Sequence, residues 1–192
     1  MTAGKKYLKF VLKFIIIGLI IYISFYALML IPFTKTKGYD DITKLDTVTN
    51  EVNGASLHIP QYDELGEYKS VNIFHKETKQ FIWKIDSLTL KVRYDTDGFE
   101  NALNNININY SFLKEPKEDM LDYYATIDGY EIQVVDKTEM MQADHSYDYP
   151  KCFMMIGVNR QEQTIVYLYH YDFDLDSIDD LDNYITKYYI LE

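Results

Sequence analysis

A stretch of twenty consecutive residues without a charged side chain, 14–33, constrains this chain more than any other feature. Twelve of the positions between Phe14 and Ile31 are Leu, Ile or Phe, and each favours membrane insertion by about 0.3–0.6 kcal/mol near the centre of a helix. At about 1.5 Å per residue, a helix of this length covers about 30 Å, the thickness of a bilayer's hydrocarbon core. The stretch therefore predicts a membrane-spanning helix over 14–33.

The lysines around this stretch predict its orientation. Four lysines precede it and two follow it, so the positive-inside rule assigns residues 1–13 to a cytoplasmic tail and the rest to the outside of a cell membrane. A cleaved signal peptide is the alternative, but its apolar core would run about 7–15 residues and end in small residues. The longer core here favours an uncleaved, single-pass signal-anchor.

The charge of the chain is divided sharply at the same point. All 30 acidic residues and 13 of the 19 basic residues lie beyond position 38, which gives that part a net charge of −17. A domain this acidic repels nucleic acid and anionic lipid headgroups, so we expect no nucleic-acid partner. Its single cysteine, Cys152, excludes an internal disulfide, so the domain must depend on an apolar core.

Residues 34–54 are polar and predict a stalk, after which residues 55–192 predict one α+β domain. Alternating apolar side chains over 88–94 indicate a strand. The apolar parity changes at Asp86–Ser87, which predicts a tight turn or a β-bulge there, and the polar run at 76–79 predicts another turn. Asp128-Gly129 lies between two alternating runs and predicts a hairpin with a type I′ turn.

A second hairpin is predicted from strands over 152–158 and 163–171, with residues 136–150 as an exposed loop. Helices are predicted over 99–106, capped by Asp97, and over 176–189. The hairpins favour a mainly antiparallel sheet, with two or three helices packed on one side. The full prediction is an N-terminal transmembrane helix followed by this sheet domain outside the membrane. In layout, though in no motif, the chain resembles envelope proteins of low-GC Gram-positive bacteria.

The strongest candidate for a ligand site is a tyrosine ladder on one strand face, Tyr167, Tyr169 and Tyr171. Tyrosine offers a large contact area at a low cost in conformational entropy, which suits a platform for a sugar ring or a peptide. The alternative is that the C-terminal helix covers the ladder.

The candidate for a metal site is the acidic run Asp172, Asp174 and Asp176. Clustered carboxylates suit Ca²⁺, so calcium is the one cofactor that the sequence suggests. The EF-hand pattern fails, because Ser177 stands where that loop needs glycine and Asn183 stands where it needs glutamate. The alternative is that Asp172 and Asp174 face water at the end of a strand, while Asp176 to Asp180 cap the last helix.

No catalytic motif is present, and the four histidines are not spaced as metal ligands. Cys152 and His170 could act as nucleophile and base only if the register of the second hairpin brought them together. The sequence therefore favours a non-catalytic, membrane-anchored interaction domain that binds a protein or a cell-envelope component. The alternative function is a membrane-anchored hydrolase that uses carboxylates.

Overall fold

The computed structural model describes residues 3–29, 31–80, 83–136, 151–172 and 174–191. It begins with helix α1, Ala3–Met29, whose segment Phe10–Ala27 is long and apolar enough to cross a membrane. The apolar side chains of this segment are exposed to the surroundings. The predicted N-terminal helix is thus present, although it begins before residue 14 and ends before residue 33.

The rest of the described chain is organised around one seven-stranded sheet in the order β1-β2-β3-β7-β6-β5-β4. Every neighbouring pair in this sheet is antiparallel. Its strands are β1 (Phe33–Tyr39), β2 (Ser70–Gln80), β3 (Trp83–Arg93), β4 (Tyr124–Ile127), β5 (Tyr130–Val134), β6 (Cys152–Asn159) and β7 (Thr164–Asp172). The predicted α+β class, with a mainly antiparallel sheet, is confirmed.

The predicted stalk, 34–54, is wrong, because these residues belong to the sheet domain. Strand β1 pairs with β2 along its whole length, from Phe33 opposite Lys79 to Tyr39 opposite Ile73. Helix α2, Leu45–Glu51, then buries Leu45 and Val48 against the sheet. The sequence did not predict this helix as part of the domain, because its two turns bury only a few isolated apolar side chains within a polar segment.

Helices cover both faces of the sheet, not one side as the sequence predicted. On one face, α2 and α3 (Thr96–Asn109) pack over an apolar cluster that includes Leu88 and Leu90. On the other face, α4 (Leu181–Tyr188) packs over a second cluster that includes Phe153 and Leu168. Two covered faces follow from the strands β6 and β7, whose residues are buried on both sides.

The predicted turn or bulge at Asp86–Ser87 does not exist. The register of β3 with both neighbours is unbroken, and residues 76–79, also predicted as a turn, lie inside β2. The apolar parity changes because Asp86 occupies an inward position in line with Leu88, and it is buried there. The change of apolar parity thus marked a buried acidic side chain in a regular strand.

Both predicted hairpins are confirmed. Asp128 and Gly129 have φ values of 52° and 79°, as a type I′ turn between β4 and β5 requires. The second hairpin pairs β6 with β7. The predicted loop over 136–150 falls, after residue 136, outside the described residues.

Candidate functional site

The sheet has two ends that differ in chemistry. We call the end where β1 begins the proximal end, because α1 and β1 are separated only by residues 30–32. The antiparallel pairing places the end of β2 and the start of β3 at this proximal end. The start of β2 and the end of β3 lie at the opposite, distal end, together with the turn between β4 and β5.

A buried hydrogen-bonded pair of side chains is the centre of the proximal end. His75 on β2 and Asp86 on β3 are almost fully buried, and 2.9 Å separates His75 Nε2 from Asp86 Oδ1. The Nδ1 atom of the same imidazole lies 3.8 Å from the Glu51 carboxylate at the end of α2. A histidine held this way between two acidic groups has a fixed ring orientation.

Lysines neutralise the carboxylates around this histidine. Lys84 contacts Asp86 at 2.9 Å and Glu77 at 3.3 Å, and Lys79 contacts Glu77 at 3.1 Å. On the edge strand, Lys37 contacts Glu51 at 2.5 Å. We call this group the proximal charge cluster; its members are Lys37, Glu51, His75, Glu77, Lys79, Lys84 and Asp86.

The lysines determine the protonation of the two glutamates in this cluster. Burial raises the pKa of Glu77, but hydrogen bonds from Lys79 and Lys84 outweigh it, so the pKa is below its usual value. The hydrogen bond from Lys37 likewise lowers the pKa of Glu51. Both glutamates line a cavity of about 310 Å³ beside His75, and both are ionised at neutral pH.

The distal end carries a polar groove of about 350 Å³ between the sheet and the C-terminal segment. Amide, hydroxyl, cationic and carboxylate groups line it together with one tyrosine ring. Its lining residues, which we call the distal groove, are Ser70, Asn72, Lys91, Arg93, Asp128, Tyr130, Asn159, Glu162, Thr164 and Leu191. Such a mixture can bind a ligand that carries several hydroxyl, amide or ionic groups.

Hydrogen bonds fix the walls of the distal groove. Lys91 Nζ donates to the Leu191 carbonyl at 2.6 Å, which attaches the C-terminal segment to β3. On the other wall, Asn159 Oδ1 accepts a hydrogen bond from the Glu162 amide at 2.9 Å. A groove held by such bonds is largely formed before any ligand arrives.

Sequence reasoning missed both ends. The groove combines residues from five strands, two turns and the C-terminal segment, so no local sequence motif predicts it. For the proximal charge cluster a signal existed: the parity change at Asp86 marks a charge on the inward face of β3. On β2, Glu77 pairs with Asp86, and both Glu77 and His75 lie opposite lysines of the edge strand β1.

The tyrosine ladder is largely buried, so it does not offer the exposed surface that the predicted ligand platform needs. Tyr167 and Tyr169 are buried under the α2 side of the sheet, and Tyr171 is half-buried. The Tyr169 hydroxyl donates to the Asn53 carbonyl at 2.6 Å, and the His58 ring stacks on the Tyr169 ring. These tyrosines are core residues because α2 and its neighbouring segment, rather than the C-terminal helix, cover them.

The predicted calcium ligands are not assembled into a site. Asp172 is buried and its carboxylate accepts a hydrogen bond from the Asp174 amide at 3.0 Å, whereas Asp174 and Asp176 are exposed. Within the described ranges, no group of three His, Cys, Asp or Glu side chains is arranged to hold a metal ion. The helix cap predicted as the alternative is Asp180, which accepts from the Asn183 amide at 2.9 Å.

Cys152 and His170 lie on opposite faces of the sheet. The observed register pairs Cys152 with Tyr171 and Phe153 with His170. Cys152 Sγ lies 2.9 Å from the Tyr169 hydroxyl, and it donates to that oxygen because the hydroxyl proton is already given to Asn53. The register therefore excludes a direct nucleophile–base pair between these two residues.

Comparison of the chain with protein-family models, with curated proteins and with solved structures found no significant match.

Proposed function

We propose that this protein is a single-pass membrane protein whose sheet domain lies outside the cell and binds a protein or cell-envelope component without catalysing a reaction. Helix α1 is the uncleaved anchor, with residues 1–13 in the cytoplasm. The distal groove is the binding site, because it is a preformed polar groove at the end of the domain that faces away from the anchor.

The connection between α1 and β1 is the observation that carries this proposal. Only residues 30–32 separate the two elements, so the start of β1 lies at most about 14 Å from the end of α1. Strand β2 has 11 residues and rises about 3.3 Å per residue, which places its distal end about 36 Å from its proximal end. A domain anchored through α1 therefore presents the distal groove well above the bilayer.

The charges of the groove define the ligand chemistry that it suits. Lys91 and Arg93 lie on one wall, and Asp128 and Glu162 lie near the β4–β5 and β6–β7 turns. Arg93 is exposed and its guanidinium lies 4.0 Å from the Glu162 carboxylate, so it can pair with a ligand at little cost. Amides, hydroxyls and the Tyr130 ring between these charges suit a sugar or a peptide segment.

A charge reversal in the groove tests the binding site. Arg93→Glu places a third carboxylate in the groove, and we expect the full-length variant in detergent micelles to lose binding to a solubilised cell-envelope fraction. Arg160→Glu is the matched control, because Arg160 is exposed at the same end of the domain and is not a lining residue. The wild type and this control should retain the same envelope component.

Two results would contradict the proposed site. One is equal retention by Arg93→Glu, Arg160→Glu and the wild type, which would place binding elsewhere. The other is that none of the three retains any envelope protein or polysaccharide above the level of empty micelles.

The carboxylate-dependent hydrolase has one observation in its favour, since Glu51 and Glu77 line the same cavity beside His75. A general acid for such chemistry needs a raised pKa, because it must hold a proton at neutral pH. Lysine contacts lower the pKa of both glutamates instead. This is why we favour binding over catalysis for the domain.

A further inference from the structure

The hairpin between β2 and β3 ends beside the start of β1. Phe33 pairs with Lys79, which in turn pairs with Lys84, and Trp83, the first residue of β3, pairs with Gln80. Neighbouring strands are about 4.8 Å apart, so Lys84 lies about 10 Å from Phe33 across the sheet. We call this group the proximal tip: Phe33, Lys35, Lys79, Trp83 and Lys84.

The connection to α1 places the proximal tip close to the bilayer. Phe33 follows the last residue of α1 by four positions and lies at most about 14 Å from it. A bilayer's headgroup regions add about 5–8 Å on each side of the hydrocarbon core. If α1 spans the membrane, the tip has therefore little room to avoid the headgroups. This step rests on the anchoring that we propose above.

The proximal ends of β1, β2 and β3, which lie nearest to α1, differ in charge from the domain as a whole. Residues 33–192 contain 15 basic and 30 acidic residues, a net charge of −15. The proximal ends of these three strands and the end of α2 carry five lysines against three carboxylates, a net charge of +2, and these residues are Lys35, Lys37, Lys76, Lys79, Lys84, Glu51, Glu77 and Asp86. The acidic total predicted repulsion from anionic headgroups, but the end nearest to them is basic.

The exposed aromatic residues of the tip have the chemistry of a membrane interface. Phe33 is 69% exposed and Trp83 is 39% exposed, although both are large and apolar. Tryptophan is enriched at headgroup level, where its ring is amphipathic, and a lysine near an anionic surface contributes about 1 kcal/mol of attraction. Phe33 and Trp83 project to opposite faces of the sheet edge, since their positions differ in parity.

We propose that the proximal tip is a lipid-binding surface that lies on anionic headgroups and inserts Trp83 at their level. It gives the domain a second contact with the membrane beside α1. Two contacts with one bilayer restrict the tilt of the sheet, so the distal groove is held at a fixed height and direction. An anchor with a three-residue connection alone would restrict this tilt less.

Trp83 makes the test direct, because it is the only tryptophan of the chain. The experiment measures its fluorescence in full-length protein reconstituted into vesicles of phosphatidylcholine with and without one-third phosphatidylglycerol. Lipids brominated or spin-labelled near the headgroup serve as quenchers, and acrylamide serves as the aqueous quencher. We expect quenching by the shallow lipid quenchers, protection from acrylamide, and a larger effect in the vesicles that contain anionic lipid.

A matched pair of charge reversals separates the tip from the domain as a whole. Lys79→Glu reverses a charge at the tip, and Lys69→Glu reverses an exposed lysine just before the distal start of β2. We expect the first to weaken the response of Trp83 to anionic lipid at least twofold and the second to leave it unchanged.

The outcomes distinguish this inference from the anchoring on which it rests. Flotation of the protein with the vesicles, resistant to alkaline carbonate, reports that α1 is inserted. If the protein floats but Trp83 is quenched by acrylamide and not by lipid quenchers, the lipid-binding tip is refuted and the anchor stands. An equal response of Lys79→Glu and Lys69→Glu would also refute it. If the protein does not float, both proposals fail.

Discussion

At the scale of single residues, His170 shows how burial controls a titration. It lies on the α4 side of β7 among the rings of Phe153, Tyr184, Tyr188 and Tyr189, and its Nε2 atom is hydrogen-bonded to the Tyr184 hydroxyl. Its Nδ1 atom has no hydrogen-bond partner among the described residues. Burial lowers the pKa of His170 from 6.5 to about 3, so the folded protein holds this imidazole neutral.

Acid should therefore destabilise the fold through His170. The unfolded chain binds a proton at this residue below about pH 6.5 and the folded chain does not until about pH 3, so stability falls as pH falls through that window. The slope from this one residue is at most about 1.4 kcal/mol per pH unit. His170→Phe, which keeps the aromatic contacts, should lose this component in urea unfolding of the full chain between pH 7 and pH 4. Parallel stability curves for the two proteins would contradict the assignment.

Asp86 is a second residue whose surroundings should affect stability, because its carboxylate contacts both His75 and Lys84. Asp86→Ala leaves a buried imidazole without its partner, and we expect a loss of about 1–3 kcal/mol in the free energy of unfolding. The control Asp179→Ala, at an exposed position, should change it by about 0.5 kcal/mol or less.

A double-mutant cycle isolates this pair from other effects of the substitutions. Combining Asp86→Ala with His75→Ala should cost less than the sum of the two single changes, by about 0.5–3 kcal/mol. Strict additivity in urea unfolding would show that the 2.9 Å contact between the two side chains carries no energy.

At the scale of elements, the start of α3 distinguishes two aspartates that look equivalent in the sequence. The sequence predicted Asp97 as the cap, but Asp95 has the extended cap conformation and accepts from the Gly98 amide at 2.8 Å. The predicted helix itself is present, and its side chains Phe99 and Ile106 are buried. Periodicity thus located the helix, while the choice of cap depended on a turn conformation that periodicity does not encode.

The two aspartates should respond differently to removal. Asp95→Ala should destabilise the domain by about 1 kcal/mol, within the range of about 0.5–2 kcal/mol measured for lost caps. Asp97→Ala removes a charge from the first turn and should cost about 0.3–1 kcal/mol at most, through the helix dipole alone. Thermal unfolding in low and high salt separates them, because salt screens the dipole term. Equal losses with equal salt dependence would contradict the cap assignment.

The hairpins were the elements that the sequence predicted best, and the edge strand β1 was the element that it predicted worst. The turn at Asp128-Gly129 can be predicted because both residue types tolerate positive φ. This tolerance is a local property of the two residues. Strand β1 has no comparable signal, because an edge strand with exposed Thr and Lys reads as a polar linker until its partner β2 is known. The same reason concealed the proximal charge cluster, whose residues meet only across three strands and α2.

At the scale of the whole molecule, the tyrosine ladder shows the limit of single-strand reasoning. Alternation placed Tyr167 and Tyr169 on one face correctly, but burial of that face was decided by α2, which the sequence had assigned to a stalk. The acidic run at the end of β7 shows the same limit. Its members share a segment of chain, but Asp172 is buried and accepts a hydrogen bond from the Asp174 amide, whereas Asp174 and Asp176 are exposed.

The short connection between α1 and β1 determines which end of the sheet lies near α1 and which end lies far from it. It places the basic tip at one end of the sheet and the distal groove at the other, about 36 Å away along β2. In the proposed account, the first end contacts lipid and the second end contacts the partner. Both roles depend on α1 as an anchor with the domain outside the cell.

Cysteine labelling of intact cells tests this central claim most directly. The native Cys152 is fully buried, so it provides a low background for Ala3→Cys, before the membrane segment, and Arg160→Cys, at the exposed distal end. A membrane-impermeant maleimide should label Arg160→Cys on intact cells and Ala3→Cys only after permeabilisation, with both proteins in the membrane fraction. Labelling of Ala3→Cys on intact cells, or release of both proteins into the soluble fraction, would contradict the account.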